Sequence, residues 1–268
     1  MFRNIGFIGT GNMGGTIATA VYAQRNSAEI YLADTKESLL EQMSEKLPGS
    51  RPVNAKIIAA CCDLIFLGVK PQVLPLVLEE IRPVLSNRTG RFVLATMAAG
   101  VPIDTVLRLT DESFSVIRLM PNTPLSVGKG VIEYCGKNVT ENELSDFASL
   151  LSGAALTDRV PEHLIDAASA VTGCGPAYVY LFIEALADGA VACGLPRDKA
   201  LAYAAATVEG SARMVLDSGL HPGALKDMVC SPGGTTIQGV RALENQGFRA
   251  AAMESVIKAY EKTLELKK

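Results

Sequence analysis

The stretch Gly9-Thr10-Gly11-Asn12-Met13-Gly14 constrains this chain more than any other. It follows an apolar run at 5–8 and opens a helical pattern, the setting that a GxGxxG fingerprint requires. There the first glycine makes a tight turn, the second lets backbone approach a pyrophosphate, and the third lets helix and strand pack closely. The phosphates lie at the helix N-terminus, where unpaired N–H groups favour negative charge. Asp34 closes the next apolar run, about 20 residues past the third glycine, where a carboxylate can accept hydrogen bonds from ribose hydroxyls. A merely structural glycine turn would leave Asp34 unexplained. The expected cofactor residues are therefore Gly9, Thr10, Gly11, Asn12, Met13, Gly14 and Asp34, with Thr35 and Lys36 directly behind. Asp34 by itself favours NADH, because it repels the 2′-phosphate of NADPH; Lys36 could attract that phosphate if Asp34 turned away.

Around this motif the sequence alternates short apolar runs with amphipathic stretches, as βαβ units do. The runs at 4–8, 29–33, 64–69, 92–95, 115–119 and 131–134 are the expected strands, and their lack of polar alternation suits a sheet covered on both faces. Beyond Val160 the pattern is helical throughout, with helices expected at 162–172, 176–193, 196–218, 222–229, 235–245 and 248–266. Prolines at helix starts and Gly194, Gly219 and Gly247 just past helix ends punctuate it. The fold class expected is α/β: a Rossmann-type, mostly parallel sheet over residues 1–160, followed by an all-helical domain over 161–268.

Within the helical half, residues 175–194 carry only Glu184 and Asp188 as charges. Two carboxylates one turn apart argue against a membrane span. A helix apolar on all sides in a small domain is instead buried against a partner, so a homodimer through the helical domain is expected, with no membrane involved.

Several further stretches carry candidate chemistry. Val69, Lys70 and Pro71 end the 64–69 run, where ligands of open α/β sheets gather, although a plain strand end with a solvated lysine has the same spacing. In Met120-Pro121-Asn122-Thr123-Pro124 two prolines stiffen a turn, and Asn122 either hydrogen-bonds a carboxamide or substrate or caps the turn. Ser231-Pro232-Gly233-Gly234-Thr235-Thr236 sets two glycines and three hydroxyls at a helix start, a combination suited to a small carboxylate; a simple Ser/Thr N-cap is the plainer alternative. Thr172-Gly173-Cys174-Gly175-Pro176-Ala177-Tyr178 opens another helix after two glycines, where close packing between subunits is the plainer reading.

Composition narrows the classes further. A net charge of -3 without a Lys/Arg cluster gives nucleic-acid binding no support. Six cysteines without CxxC spacing and two histidines give no metal-ligand pattern; reduced thiols, structural roles for His163 and His221, and core filling by Cys61 and Cys62 are expected. The N-terminal residues lack the apolar core and cleavage site of a signal peptide, and a cytoplasmic location is the default expectation.

Taken together, IGFIGTGNMGG, VKPQ, RLMPNTP, TGCGPAY and above all KDMVCSPGGTTIQGVRALE resemble the successive motifs of the pyrroline-5-carboxylate reductase family, in order and along nearly the whole chain. The resemblance implies reduction of 1-pyrroline-5-carboxylate to L-proline by hydride transfer from NADPH or NADH. It implies that Gly9 to Gly14 cradle the cofactor while Val69, Lys70, Pro71 and Asn122 border it. Ser231, Gly233, Gly234, Thr235 and Thr236 would surround the substrate, with Thr236 the candidate for a hydrogen bond or proton to the ring nitrogen. It further implies active sites completed at a dimer interface, and it allows a larger ring of dimers. Two departures stand out: Cys174 replaces the family's usual serine, and Asp34 occupies a region that usually suits NADPH. A 3-hydroxyacid dehydrogenase would need a lysine base and an asparagine on the long helix, and residues 176–194 contain neither. A dinucleotide sensor without turnover would have no use for the second anion site at 231–236.

Overall fold

The computed structural model describes residues 2–25 and 27–265. Its first unit is built on eight strands: β1 (Asn4–Ile8), β2 (Glu29–Ala33), β3 (Arg51–Pro52), β4 (Leu64–Leu67), β5 (Val93–Thr96), β6 (Val116–Pro121), β7 (Gly130–Lys137) and β8 (Ala155–Arg159). They lie in one sheet in the order β3-β2-β1-β4-β5-β6-β7-β8. Strands β3 to β6 run parallel, which requires crossovers through helices, whereas β7 is antiparallel to β6 because only the short 3-10 turn Thr123–Val127 joins them.

Both faces of the central strands are buried, as their apolar runs require. On one face Phe7 and Phe66 stack at 4.8 Å and Phe147 of α6 (Glu141–Ser149) joins at 5.9 Å, alongside Ile17 and Val21 of α1 (Asn12–Gln24). On the other face Ile8, Ile65 and Leu67 meet α3 (Ala55–Cys61), α4 (Leu74–Ser86) and α5 (Ile103–Leu109) through Ile58, Leu78 and Ile103. The alternation of Leu64 and Phe66 to one face and Ile65 and Leu67 to the other is the two-residue period of a strand. In register, Ile8 of β1 lies opposite Ala33 of β2 and Leu67 of β4, so the C-terminal ends of the three strands are level. The chain reverses direction across the sheet at β1 and β4, the switch point where such sheets bind ligands.

All six expected strands form, with ends moved by a few residues; β4 stops at Leu67, before Gly68, where a Cβ would collide with the carbonyl oxygen of Gly9. β3 and β8 were not expected. They are the two edges of the sheet, with no continuous apolar run to mark them.

The expected helix 162–172 is α7 (Glu162–Thr172), but it packs with the sheet. Its Asp166 accepts from Arg118 Nη2 of β6 at 2.7 Å, and both side chains are buried. The two compact units accordingly divide between Gly173 and Cys174, and Tyr260–Glu265 group with the sheet.

The second unit, Cys174–Ala259, holds α8 (Gly175–Ala192), α9 (Arg197–Ser218), α10 (Pro222–Val229), α11 (Thr235–Asn245) and most of α12 (Phe248–Glu265). Residue 266, the expected end of the last helix, lies outside the described residues. Gly194, Gly219 and Gly247 have positive φ directly after α8, α9 and α11, the expected helix stops. Ala187, Ala200 and Ala204 form the buried centre of this unit, with Ile183, Ala190, Val191 and Leu195 packed partly against them. Tyr180, Leu181, Leu216, Met228 and Val229 are meanwhile 60% exposed or more. By length and hydropathy alone, residues 162–192 would suffice to cross a bilayer.

Candidate active site

The glycine loop connects β1 to α1 as its sequence demands. Gly9 has φ +91°, and a Cβ there would lie 2.8 Å from Gly68 backbone and from Val69 Cγ1. A Cβ on Gly14 would collide with the carbonyl oxygen of Gly9, so the first and third glycines are fixed by packing of strand, turn and helix. Gly11 differs. Its φ of −63° suits any residue, and a Cβ there would meet nothing within 4 Å. Nothing in the chain's own packing requires glycine at that point, which fits a backbone surface left bare for a ligand. Gly11 is also the N-cap of α1, and no side chain among the described residues caps that end or places a negative charge in its first turn. Its leading N–H groups, with Asn12 and Met13 the first residues of the helix, suit a diphosphate.

Asp34 stands at the end of β2 beside this loop. Its Oδ2 accepts from Thr10 N at 2.7 Å and from Thr10 Oγ1 at 3.2 Å, and its Oδ1 accepts from Lys36 N at 3.0 Å. Thr10 is buried and both of its donors point at Asp34, so it serves the site through Asp34. A cleft of about 250 Å³ opens here, with Gly9, Asp34 and Thr35 on one side and Val69 on another. Its remaining walls include Val53 and Asn54 before α3, and Val73, Val77 and Glu80 along the first half of α4. Sequence reasoning missed these residues, because they reach the cleft only through the βαβ crossovers.

Lys70 is exposed just past β4, and its carbonyl accepts from the N–H groups of Val73 at 2.9 Å and Leu74 at 3.1 Å, so 70–73 form the turn into α4, with Pro71 inside it. Asn122 is 6% exposed, and its amide is occupied at both ends: Nδ2 donates to Thr172 O at 3.0 Å, and Oδ1 accepts from Val131 N at 2.9 Å. Of the two expectations for Asn122, the bonds it makes are those of a turn brace.

The rest of the expected site lies in the helical unit. The chain leaves α10 at Cys230, and Gly233 turns with φ +70°. Gly234 N donates to Ser231 O at 3.0 Å, and a Cβ on Gly234 would strike Ser231 Oγ. Gly234, not a serine or threonine, is the N-cap of α11; Thr235 and Thr236 are its first two residues, exposed to solvent. No side chain among the described residues caps this helix start, and no acidic residue sits in its first turn. The plainer reading as a Ser/Thr N-cap therefore does not describe this loop. Three hydroxyl residues and uncapped N–H groups are the donor chemistry that an anion needs, here without an arginine. His221, by contrast, caps α10, its Nδ1 accepting from Gly223 N at 3.0 Å, the structural role expected of it.

Fold and glycine loop together define a dinucleotide-binding α/β protein with a helical second unit. Family models match in the same two places: one described as NADP oxidoreductase, coenzyme F420-dependent, over residues 4–99, and one described as pyrroline-5-carboxylate reductase dimerisation over residues 162–266. The pyrroline-5-carboxylate reductase of Escherichia coli K12 is 40% identical over 271 residues, covering 100% of both chains. That of Methanosarcina acetivorans is 40% identical, covering 99% of this chain and 98% of its own. The chain belongs to the pyrroline-5-carboxylate reductase family. Among solved structures, a pyrroline-5-carboxylate reductase from Coxiella burnetii is similar with TM-score 0.91 at 30% identity, covering 99% of each chain. The Plasmodium falciparum pyrroline carboxylate reductase, solved with NADP bound, has TM-score 0.86 at 31% identity, covering 99% of this chain and 98% of its own.

Proposed function

We infer that this protein is an NAD(P)H-dependent oxidoreductase that converts 1-pyrroline-5-carboxylate to L-proline, the last step of proline biosynthesis, in the cytoplasm. The observation that carries this reading is the 231–236 loop, an uncapped helix start with Ser231, Thr235 and Thr236 at it, in a chain related over its full length to reductases of that name. The dinucleotide, when bound, supplies the hydride that the imine carbon receives. On this reading Gly9, Gly11 and Gly14 shape the seat for its diphosphate, and Asp34, Thr35 and Lys36 lie on the adenosine side. Val69, Lys70, Pro71 and Asn122 border the cofactor, with Val69 in the wall of the cleft that holds Asp34.

For the substrate, the leading backbone N–H groups of α11, from Thr235 onward, and the hydroxyls of Ser231 and Thr235 take the carboxylate, and the turn at Gly233 holds them together. Thr236 Oγ1 hydrogen-bonds the ring nitrogen, which becomes the secondary amine of proline on gaining a proton. The basic imine nitrogen takes that proton from solvent before the hydride arrives, since a threonine hydroxyl is too weak an acid to supply it near neutral pH. A protonated imine needs no oxyanion hole. The work of the protein is to hold donor and acceptor together. In functional terms the division falls at 160: residues 1–160 bind the cofactor, and 161–268 bind the substrate and join two copies as a homodimer, which a ring of dimers would extend.

Thr236→Ala is expected to lower kcat/KM by about tenfold, the loss of roughly one hydrogen bond, with the melting temperature unchanged. Steady-state kinetics with the imine checks this; full activity at unchanged KM would remove Thr236 from the mechanism.

A further inference from the structure

A NADPH 2′-phosphate brings about −1.5 to −2 charges to the mouth of an adenosine pocket and needs cations there. The cleft beside the glycine loop offers the reverse. Two carboxylates, Asp34 and Glu80, line it, and among the described residues its lining contains no Lys or Arg. The nearest lysine in sequence, Lys36, would matter only if Asp34 swung aside, and Asp34 is tied down. Thr10 N, Thr10 Oγ1 and Lys36 N hold its two oxygens at 2.7, 3.2 and 3.0 Å. Turning it out would strand the N–H of buried Thr10, which would face an unpaired burial cost. Lys36 uses its own backbone N–H to fix the carboxylate that repels a phosphate.

We propose that this enzyme selects NADH over NADPH, with Asp34 as the specificity-determining residue and Glu80 adding to the negative field of the same cleft. A carboxylate held in this way keeps one acceptor site free for a ribose hydroxyl, since a carboxylate offers about four and three are in use. The inference rests on the reading above that this cleft takes the adenosine half of the dinucleotide.

The test is calorimetric titration of the purified full chain with NADH and with NADPH, without substrate, at low and at high salt. NADH is expected to bind at least about tenfold more tightly at low salt, and the gap to narrow as salt screens the charges. In Asp34→Ser the gap should fall to within about threefold, mainly through tighter NADPH binding, and in Glu80→Gln it should shrink by less. The melting temperature of each variant establishes that it is folded. Equal or tighter binding of NADPH by the unaltered protein overturns the proposal, whatever the variants do. So does a gap in folded Asp34→Ser as wide as in the unaltered protein. Binding of neither dinucleotide would overturn the functional reading as well, so the two failures are told apart.

Discussion

The three glycines of the loop do different physical work, and two alanines separate them. Gly14→Ala puts a methyl into the Gly9 carbonyl oxygen, so it should cost roughly 1–3 kcal/mol of stability along with cofactor binding. Gly11→Ala meets nothing within 4 Å and no φ strain, so the melting temperature should hold while NADH binding weakens at least about tenfold. Thermal melts beside NADH titrations check the pair, and a Gly11→Ala protein with normal affinity would show that no ligand backs onto that residue. A second residue-scale expectation concerns Glu143, which accepts from Arg91 Nε and Nη2 at 2.7 Å each and closes a capping box with Thr140. The Arg91 hydrogen bonds, ahead of those from Thr140, lower its pKa from 4.5 to about 2. A depressed carboxylate stabilises the fold above its unfolded pKa, and that contribution is lost as pH falls through the folded one. Glu143→Gln should therefore lower stability near pH 7 by about 1 kcal/mol, Arg91 being half exposed, and the difference from the unaltered protein should vanish between pH 4.5 and 2. Urea titrations across that range measure it.

Among the elements, α7 ties its buried Asp166 to the buried Arg118 of β6, with Glu162 3.4 Å from the same guanidinium. Asp166→Ala leaves a guanidinium in the core short of its partner and should cost about 3–5 kcal/mol, read as a lowered urea midpoint. A change under about 1 kcal/mol would mean that water reaches Arg118. This pair also explains why the unit boundary was hidden in the sequence: the 162–172 helix reads like those after it, and only the tertiary partner of Asp166 assigns it to the sheet. The central strands were legible because burial on both faces demands continuous apolar runs, as in Leu64–Leu67. β3, of two residues, and β8, exposed along most of its length, left no such trace. At the candidate site, Gly9, Gly14 and Gly233 were legible because backbone geometry or close packing dictates glycine there, and Asp34 because of its spacing from the loop. Val53, Val73, Val77 and Glu80 were not, since apolar and acidic residues at helix starts have many uses. Thr10 is occupied by the Asp34 carboxylate and Asn122 by the backbone of Thr172 and Val131, partners distant in sequence that could not be read locally.

At the scale of the whole molecule, the two units are unequally self-sufficient. The sheet unit has a full core on each face, whereas the helical unit buries Ala187, Ala200 and Ala204 and leaves Leu181 66% and Met228 73% exposed. So small a centre calls for a partner, the role that the dimerisation model matched over 162–266 describes. Leu181→Glu should reduce a dimer or larger assembly to monomer in sedimentation equilibrium, and an unchanged mass would move the interface away from α8. The function proposed for the assembly meets its most direct test in initial rates of NADH and NADPH oxidation with 1-pyrroline-5-carboxylate, set beside a panel of 3-oxoacids. Turnover confined to the imine, with one proline formed per reduced dinucleotide consumed, is the expected result; activity on an oxoacid with none on the imine would contradict it.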